Sequence, residues 1–221
     1  MRPEVQGNPA LRILRKLSRV SMLGPYLRAV VWVQGCPFRC PGCITPEGLP
    51  FDGGTTASAV ELADWICGER LKNGIEGVTF SGGEPMAQAE ELCAVIDAVR
   101  RRSDIGVMCY TGYKLGVLQA KGTDPQKKLL SRIDLLIDGK YVREKHADLL
   151  WRGSSNQRLV FLTCRYRGEV SRIIAESGDS AAGLEIRGAG QREVAIVGVP
   201  GMARFGERLR QRLNRTDRLN D

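Results

Sequence analysis

The sequence predicts an α/β fold in which parallel strands are joined by helices. Short runs of β-branched and apolar residues alternate with longer segments of helical periodicity. This alternation is typical of parallel sheets with right-handed crossovers. A length of 221 residues suits one domain, or one domain plus an appendage. Because a distinctive loop follows each of the first four core strands, we expect function at their carboxyl ends.

The N-terminal third begins with two predicted strands. Residues 11–20 mix apolar and basic positions, and we predict an edge strand there. Gly24-Pro25 indicates a turn. Residues 28–34 are β-branched and aromatic, which predicts a buried strand that leads directly into a loop with three cysteines.

Helices and strands then alternate. Apolar residues recur at helical spacing over residues 57–73, where Thr55 and Thr56 are candidate caps. Residues 77–80 predict a strand that opens into a Gly-Gly-Glu turn. The remaining predicted elements are a helix at 86–102, strands at 105–110, 133–137 and 158–164, helical segments within 114–132, a helix around 169–176, a hairpin joining 183–187 to 193–197, and a basic helix at about 202–214.

The composition excludes several classes of protein. The chain is 43% hydrophobic and 26% charged, which is ordinary for a soluble globular protein. No apolar run approaches the ~20 residues of a membrane span, and the N-terminus lacks the apolar core of a signal peptide. Seven cysteines, four of them at no paired spacing, indicate a reducing compartment. We therefore expect a cytoplasmic protein without a membrane partner.

The formal net charge of +8 indicates a basic protein, which suits an acidic partner. Nucleic acid is not favoured, because the sequence contains neither a helix-turn-helix nor an aromatic-rich nucleic-acid motif. A basic surface equally suits an acidic redox donor or another protein.

The three cysteines of the loop, Cys36, Cys40 and Cys43, are spaced Cys-x3-Cys-x2-Cys. Closely spaced thiolates of this kind hold iron–sulfur clusters, whereas a closed structural zinc site requires four ligands. The next cysteine, Cys67, lies in a helix-like segment, and the one histidine is His146. A zinc knuckle and a disulfide are therefore less favoured than a cluster.

The cysteine spacing resembles that of the radical S-adenosylmethionine (SAM) superfamily. This resemblance implies a short partial (β/α) barrel and a [4Fe-4S] cluster bound by Cys36, Cys40 and Cys43. It also implies that the iron without a protein ligand binds the amino and carboxylate groups of SAM.

The Gly82-Gly83-Glu84 segment joins a predicted strand to a helix. Two glycines allow a ligand to approach the backbone, and a carboxylate can accept a hydrogen bond from an ammonium group. Alone, such a turn is commonly just a loop with an acidic helix cap. In the superfamily this segment contacts the SAM amino group, and the resemblance gives that role to these three residues.

Three further motifs, Tyr-Thr-Gly-Tyr at 110–113, Ile-Asp-Gly-Lys-Tyr at 137–141 and Trp-Arg-Gly-Ser-Ser-Asn-Gln at 151–157, extend the resemblance. Over residues 24–162 the chain resembles the activating enzymes of anaerobic ribonucleotide reductases. The resemblance implies that Lys140 meets the SAM carboxylate, with Asp138 available to orient it. A solvated loop lysine is the alternative.

The expected cofactor-binding set has four more members, and no protein residue is assigned a catalytic role apart from the cluster and SAM. Thr111 and Ser155 could hydrogen-bond the ribose or methionine groups, with turn former and cap as equal alternatives. Gly42 and Ile44 flank Cys43. Gly42 stands where many superfamily members have an aromatic residue that packs on adenine.

The function implied is reductive cleavage of SAM to a 5′-deoxyadenosyl radical that installs a glycyl radical on a partner, such as an anaerobic ribonucleotide reductase. A flavodoxin or ferredoxin would serve as the low-potential electron donor. Modification of a small molecule or peptide in a biosynthetic pathway, and a non-catalytic iron–sulfur scaffold or sensor, remain alternatives. We expect a core at 1–164, with its N-terminal strand segment, and an extension at 165–221 that closes the sheet edge or docks a partner.

Overall fold

A computed structural model of the protein describes residues 10–179, 183–188 and 194–200. Its strands are β1 (Ala10–Val20), β2 (Arg28–Val33), β3 (Thr55–Ser58), β4 (Gly77–Gly82), β5 (Gly106–Thr111), β6 (Leu135–Asp138), β7 (His146–Leu149), β8 (Arg152–Ser154), β9 (Arg158–Phe161), β10 (Leu184–Gly188) and β11 (Val194–Gly198). Its helices are α1 (Ala59–Asn73), α2 (Ala89–Arg100), α3 (Leu115–Lys121), α4 (Asp124–Leu130) and α5 (Arg167–Ser177). Short 3-10 turns occupy Pro46–Gly48, Pro85–Gln88 and Arg143–Lys145.

The centre of the fold is a seven-stranded sheet in the order β3-β1-β2-β4-β5-β6-β9. Strands β2, β4, β5 and β6 run parallel to their neighbours in this series. The two β1 pairings and the β6–β9 pairing are antiparallel. The predicted α/β class, with a mostly parallel sheet, is confirmed.

Two predictions at the amino-terminal edge of the sheet are wrong. β1 is not an edge strand, because β3 pairs with it on the side away from β2. Thr55 and Thr56, predicted as helix caps, belong to β3. Helix α1 is capped by Ser58, whose hydroxyl accepts from the Glu61 N–H while its own N–H donates to the Glu61 carboxylate.

The sheet is covered on both faces. Strand β2 is buried along its whole length, which accounts for the apolar run Ala29–Val33 that follows its first residue, Arg28. On the outer face, α1 and α2 pack over alternate β2 residues, including Val31 and Val33. On the opposite face, which we call the inner face, Val30 and Trp32 are buried instead.

The described part of the C-terminal tail packs on this inner face. Helix α5 and the β10–β11 hairpin occur where the sequence predicts them. Val197 of β11 is buried in the inner-face cluster. In the part of the chain that the structure describes, the hairpin is a separate two-stranded sheet and pairs with no strand of the large sheet. The basic helix predicted at 202–214 lies outside the described residues.

Sequence periodicity did not predict the small β7–β8 hairpin, which precedes β9. No helix among the described residues is both long and apolar enough to cross a membrane.

Candidate functional site

A cavity of about 250 Å³ opens where the parallel strands end. It brings together residues that are far apart in the sequence, from Arg15 to Pro200. Those predicted as site residues and found in its lining are Cys36, Cys40, Gly42, Cys43, Ile44, Gly82, Gly83, Glu84, Thr111 and Lys140. The structure does not place Asp138 or Ser155 in this lining.

The cysteine loop is fixed by backbone hydrogen bonds at the end of β2. The N–H groups of Gly35 and Cys36 donate to the carbonyls of Gly48 and Leu49, at 2.9 and 3.1 Å. The Cys43 N–H closes the loop on the Cys40 carbonyl at 3.1 Å. The loop therefore has a defined shape built from its own backbone and the following 3-10 turn.

The three loop thiols are free and half-buried. Burial raises the pKa of Cys36 to about 11. Burial also raises the pKa of Cys40, against the opposing effects of the Lys140 charge and the Tyr141 backbone N–H. Thiols of this kind become thiolates when a metal displaces the proton, which suits ligands rather than free nucleophiles.

Within the described part of the chain, no three His, Cys, Asp or Glu side chains lie close enough together to hold a single metal ion. Each thiolate of a [4Fe-4S] cluster binds a different iron, whereas zinc ligands converge on one centre.

Gly82 and Gly83 bring the end of β4 into contact with the cysteine loop. Gly82 has a φ of +98°, and a Cβ there would lie 2.7 Å from the Val33 nitrogen. A Cβ on Gly83 would lie 2.3 Å from the Gly35 carbonyl oxygen. Because these obstacles are backbone atoms, only glycine fits at either position. The Gly83 N–H then donates to the Val33 carbonyl at 2.7 Å.

Glu84 is a buried carboxylate held in one orientation. Its Oε1 accepts from the Met86 N–H at 2.9 Å and from the Thr111 hydroxyl at 2.8 Å, and its Oε2 accepts from the Gly112 N–H at 2.8 Å. Burial raises the pKa of Glu84 to about 7, although these three bonds act in the opposite direction. The Thr111 proton is thus already directed to Glu84.

Lys140 and Asp138 do not pair with each other. The Asp138 carboxylate is bound by Arg158 and accepts from the Leu115 N–H at 2.7 Å. Burial opposes these bonds, but they leave the pKa of Asp138 below its ordinary value. The Lys140 ammonium lies 4.3 Å from the ring centroid of Phe38, inside the cysteine loop.

The segment after β8 supports the backbone of the Lys140 loop. The Asn156 amide donates to the Lys140 carbonyl at 2.8 Å, and the Gln157 amide donates to the Gly139 carbonyl at 3.0 Å. The Gln157 oxygen also accepts from the Gly153 N–H at 2.9 Å. Ser155 is exposed, and its N–H donates to the Lys145 carbonyl at 2.8 Å.

Sequence reasoning missed Asn156 and Gln157 as supporting residues. The available signal was their place in the 151–157 motif, which reaches into the turn between β8 and β9. It also missed Phe38, whose ring packs edge-on against Tyr113 with centroids 4.7 Å apart. Phe38 lies between the first two cysteines, which was the signal for a role in that loop.

His146 lines the cavity and was not among the predicted site residues. Its Nδ1 lies 3.2 Å from the Tyr141 hydroxyl. Its Nε2 is buried and has no hydrogen-bond partner among the described residues. A buried polar atom of this kind calls for a partner, and a nucleoside in the cavity would offer one.

The cavity residues fit a cluster and SAM. Three thiolates would hold the cluster, the Glu84 carboxylate suits an ammonium group, and the Lys140 ammonium suits a carboxylate. The guanidinium of Arg143 packs against Gly42, with its Nε 3.0 Å from the position of a Cβ there. A polar group therefore stands beside Gly42, where many superfamily members carry an aromatic ring.

Comparison with known proteins agrees with this geometry. The family described as a 4Fe-4S single cluster domain matches residues 22–160. The anaerobic ribonucleoside-triphosphate reductase-activating protein of Vibrio cholerae serotype O1 is 37% identical over 61% of this chain and 87% of its own length. The proteins of the same name from Escherichia coli strain K12 and enterobacteria phage T4 are 34% and 33% identical, over 61% and 62% of this chain and 88% and 85% of theirs. The chain belongs to the 4Fe-4S single cluster domain family, and it belongs to the same family as these reductase-activating proteins.

Proposed function

We propose that this protein is a radical SAM activating enzyme that installs a glycyl radical on a partner protein such as an anaerobic ribonucleotide reductase. The carrying observation is one cavity in which three cysteines at the end of β2 stand beside Glu84 and Lys140, from the ends of β4 and β6. The names of the relatives support the same activity.

The cysteines and the charged residues have separate tasks. Cys36, Cys40 and Cys43 hold the [4Fe-4S] cluster and leave one iron free for SAM. When bound, the reduced cluster supplies the electron that cleaves SAM to methionine and a 5′-deoxyadenosyl radical, which then takes a hydrogen atom from a glycine. Glu84 binds the SAM amino group, and Lys140 binds its carboxylate.

The other predicted cofactor-binding residues act mainly through their neighbours. Thr111 orients Glu84 through its hydroxyl. Asp138 fixes Arg158 and the start of α3. Gly42 and Ile44 line the cavity beside Cys43. Ser155 contributes its backbone to the loop that follows Lys140.

We also infer the fold type, the domain bounds, the electron donor and the cellular location that accompany this activity. The parallel strands and their loops form a short partial barrel of the radical SAM type, with a core at 1–164 and an extension at 165–221. A net charge of +8 suits an acidic, low-potential electron donor such as a flavodoxin or ferredoxin. We place the protein in the cytoplasm, and we propose neither a membrane nor a nucleic acid as a partner.

Anaerobic reconstitution tests the proposal. The protein with iron, sulfide, dithionite and SAM should release 5′-deoxyadenosine, measured by chromatography, and should give a glycyl radical signal in electron paramagnetic resonance when a reductase is added. A triple Cys36→Ala, Cys40→Ala, Cys43→Ala variant should do neither. The matched control is Cys164→Ala, which removes an exposed cysteine elsewhere in the fold.

The outcomes separate the rival functions. Normal 5′-deoxyadenosine release by the triple variant would contradict the assignment. Cluster binding without SAM cleavage would indicate an iron–sulfur scaffold or sensor. Cleavage without radical transfer to any reductase would indicate a small-molecule or peptide substrate.

A further inference from the structure

The β10–β11 hairpin reaches the same cavity as the cysteines, although it lies beyond residues 22–160, which the family match covers. Ile196, Gly198, Val199 and Pro200 line the cavity. A segment outside the matched region therefore forms part of the wall around the reacting groups.

Packing and hydrogen bonds fix the hairpin in this place. Val197 is 2% exposed and is buried with Val30 and Trp32 on the inner face. The Ser21 N–H and hydroxyl donate to the Glu185 carboxylate at 3.0 and 3.1 Å. These contacts hold the β10–β11 hairpin, and with it this wall of the cavity, against the rest of the folded chain.

A second pair of contacts holds the chain just before the hairpin. Arg152 forms an ion pair with Asp179, and the Leu150 N–H donates to the Asp179 carbonyl at 3.2 Å. The tail is thereby tied to the β7–β8 hairpin, which also borders the cavity through His146 and Gly153.

The chemistry of this wall differs from that of the SAM-binding side. Its four cavity-lining residues carry no charge and no side-chain hydrogen-bonding group. The sulfonium, amino and carboxylate groups of SAM require the charged residues Glu84 and Lys140 instead. Gly198 has no side chain, and the other three lining residues are apolar. This segment can therefore contact an uncharged polypeptide without burying a charged side chain.

We propose that residues 196–200 contact the glycine-bearing segment of the partner protein and determine which polypeptide receives the radical. This inference rests on the proposed function. A hydrogen atom passes from the glycine Cα to the 5′ carbon of the deoxyadenosyl radical, giving 5′-deoxyadenosine and a glycyl radical. The single electron consumed comes from the low-potential donor through the cluster. The glycine must enter this cavity to react, and the hairpin is one of its walls.

An enlarged side chain on the wall tests the proposal. Ile196→Trp narrows the cavity, so we expect the ratio of glycyl radical formed to SAM cleaved to fall by about tenfold or more. The probe is the large subunit of the anaerobic ribonucleoside-triphosphate reductase from the same organism. Radical is quantified by electron paramagnetic resonance and 5′-deoxyadenosine by chromatography.

Ile186→Trp is the matched control. Ile186 is the direct cross-strand neighbour of Ile196, is 72% exposed and does not line the cavity. It should keep the wild-type ratio. Ile196→Phe provides a milder enlargement with the same expected direction if the tryptophan variant does not fold, as judged by circular dichroism.

Two outcomes would overturn the proposal: an unchanged ratio in the folded Ile196 variants, or an equal fall in Ile186→Trp. The second would mean that the hairpin acts only through its stability. If the wild-type protein released no 5′-deoxyadenosine at all, the proposed function itself would fail first.

Discussion

Glu84 is the residue whose charge state has the clearest consequence. Its carboxylate is 1% exposed, and the three groups that bond it among the described residues are two backbone N–H groups and a hydroxyl. None of them carries a positive charge. The N–H groups of the SAM amino group would supply a further donor.

We expect SAM to bind more tightly to the reconstituted protein as the pH rises from about 6 to about 8. Burial raises the pKa of Glu84 to about 7, so the group is neutral below this pH and becomes ionised above it. The ionised form accepts hydrogen bonds from the SAM amino group with both oxygens, whereas in the protonated form one oxygen is a donor. Isothermal titration at several pH values measures the effect.

Glu84→Gln should weaken SAM binding by about tenfold and flatten its pH dependence, since a charged hydrogen bond contributes about 1.5–3 kcal/mol. Glu90→Gln, on the exposed side of α2, is the control and should behave like the wild type. A steep pH dependence that survives in Glu84→Gln would assign the titration to another group.

At the scale of elements, the segment from β8 to β9 acts on the β6 loop. We expect Gln157→Ala to raise the KM for SAM about threefold to tenfold with a smaller change in kcat. The variant loses the hydrogen bonds to Gly139 and Gly153, each contributing about 0.5–1.5 kcal/mol, and so loosens the backbone that carries Lys140. Steady-state kinetics of 5′-deoxyadenosine release measures the effect.

Ser155→Ala changes an exposed side chain in the same motif, and its kinetics should match the wild type. A fall in kcat alone in Gln157→Ala would place its action on the chemical step instead of on SAM binding.

The contact between β4 and the cysteine loop depends on Gly83. Gly83→Ala should lower the free energy of unfolding by about 2 kcal/mol or more and reduce iron incorporation, because its Cβ would lie 2.3 Å from the Gly35 oxygen. Gly68→Ala in α1, where no atom lies within 4 Å of the new Cβ, should instead stabilise the protein by up to about 1 kcal/mol. Denaturant unfolding of the two variants and iron analysis test this contrast.

The elements were predictable where their sequence pattern was long. Helix α1 and strand β2 carry many apolar residues, and both were predicted within a few residues. Strand β3 has four residues and no buried side chain, so its pairing with β1 leaves no pattern in the sequence. The β7–β8 hairpin is likewise formed by short strands, of four and three residues, in which Ser154 alone is buried.

The site was predictable where one loop contains its chemistry. The spacing of the cysteines and the Gly-Gly-Glu turn are local features. The bonds from Asn156 and Gln157 join residues 16 and 18 positions apart, and no spacing rule indicates them. Asp138 was assigned to Lys140 because they are near in sequence, whereas the fold gives Asp138 the closer cation Arg158.

At the scale of the whole molecule, Arg28 joins the sheet to the tail. It is fully buried, and its hydrogen bonds go to Thr79, to backbone carbonyls and to the Tyr166 hydroxyl at 3.0 Å. No carboxylate is among these partners in the described structure. A buried cation with neutral partners depends on each of them.

We expect Tyr166→Phe to lower the free energy of unfolding by about 1–3 kcal/mol, because the guanidinium loses a hydrogen bond that it cannot replace with water. Tyr26→Phe is the control, since Tyr26 is 45% exposed, and it should change stability by less than about 0.5 kcal/mol. Chemical denaturation followed by fluorescence distinguishes the two. Equal stability of both variants would show that Arg28 does not need the Tyr166 hydroxyl.

The position of the tail could be predicted only in part. Periodicity indicated α5 and the hairpin, and both are present. That Val197 would cover Val30 and Trp32 could not be predicted from the sequence, because both faces of β2 are apolar and the tail could have packed on either of them.

The ring of Phe38 has a consequence for how the metal centre matures. It is held against Tyr113 and Lys140 by contacts that involve no metal. These side-chain contacts therefore restrain the loop between Cys36 and Cys40 in addition to any bonds from its thiolates, and they bear part of the entropy cost of ordering it. That part need not come from the metal–sulfur bonds, so more of their energy remains available to retain the cluster.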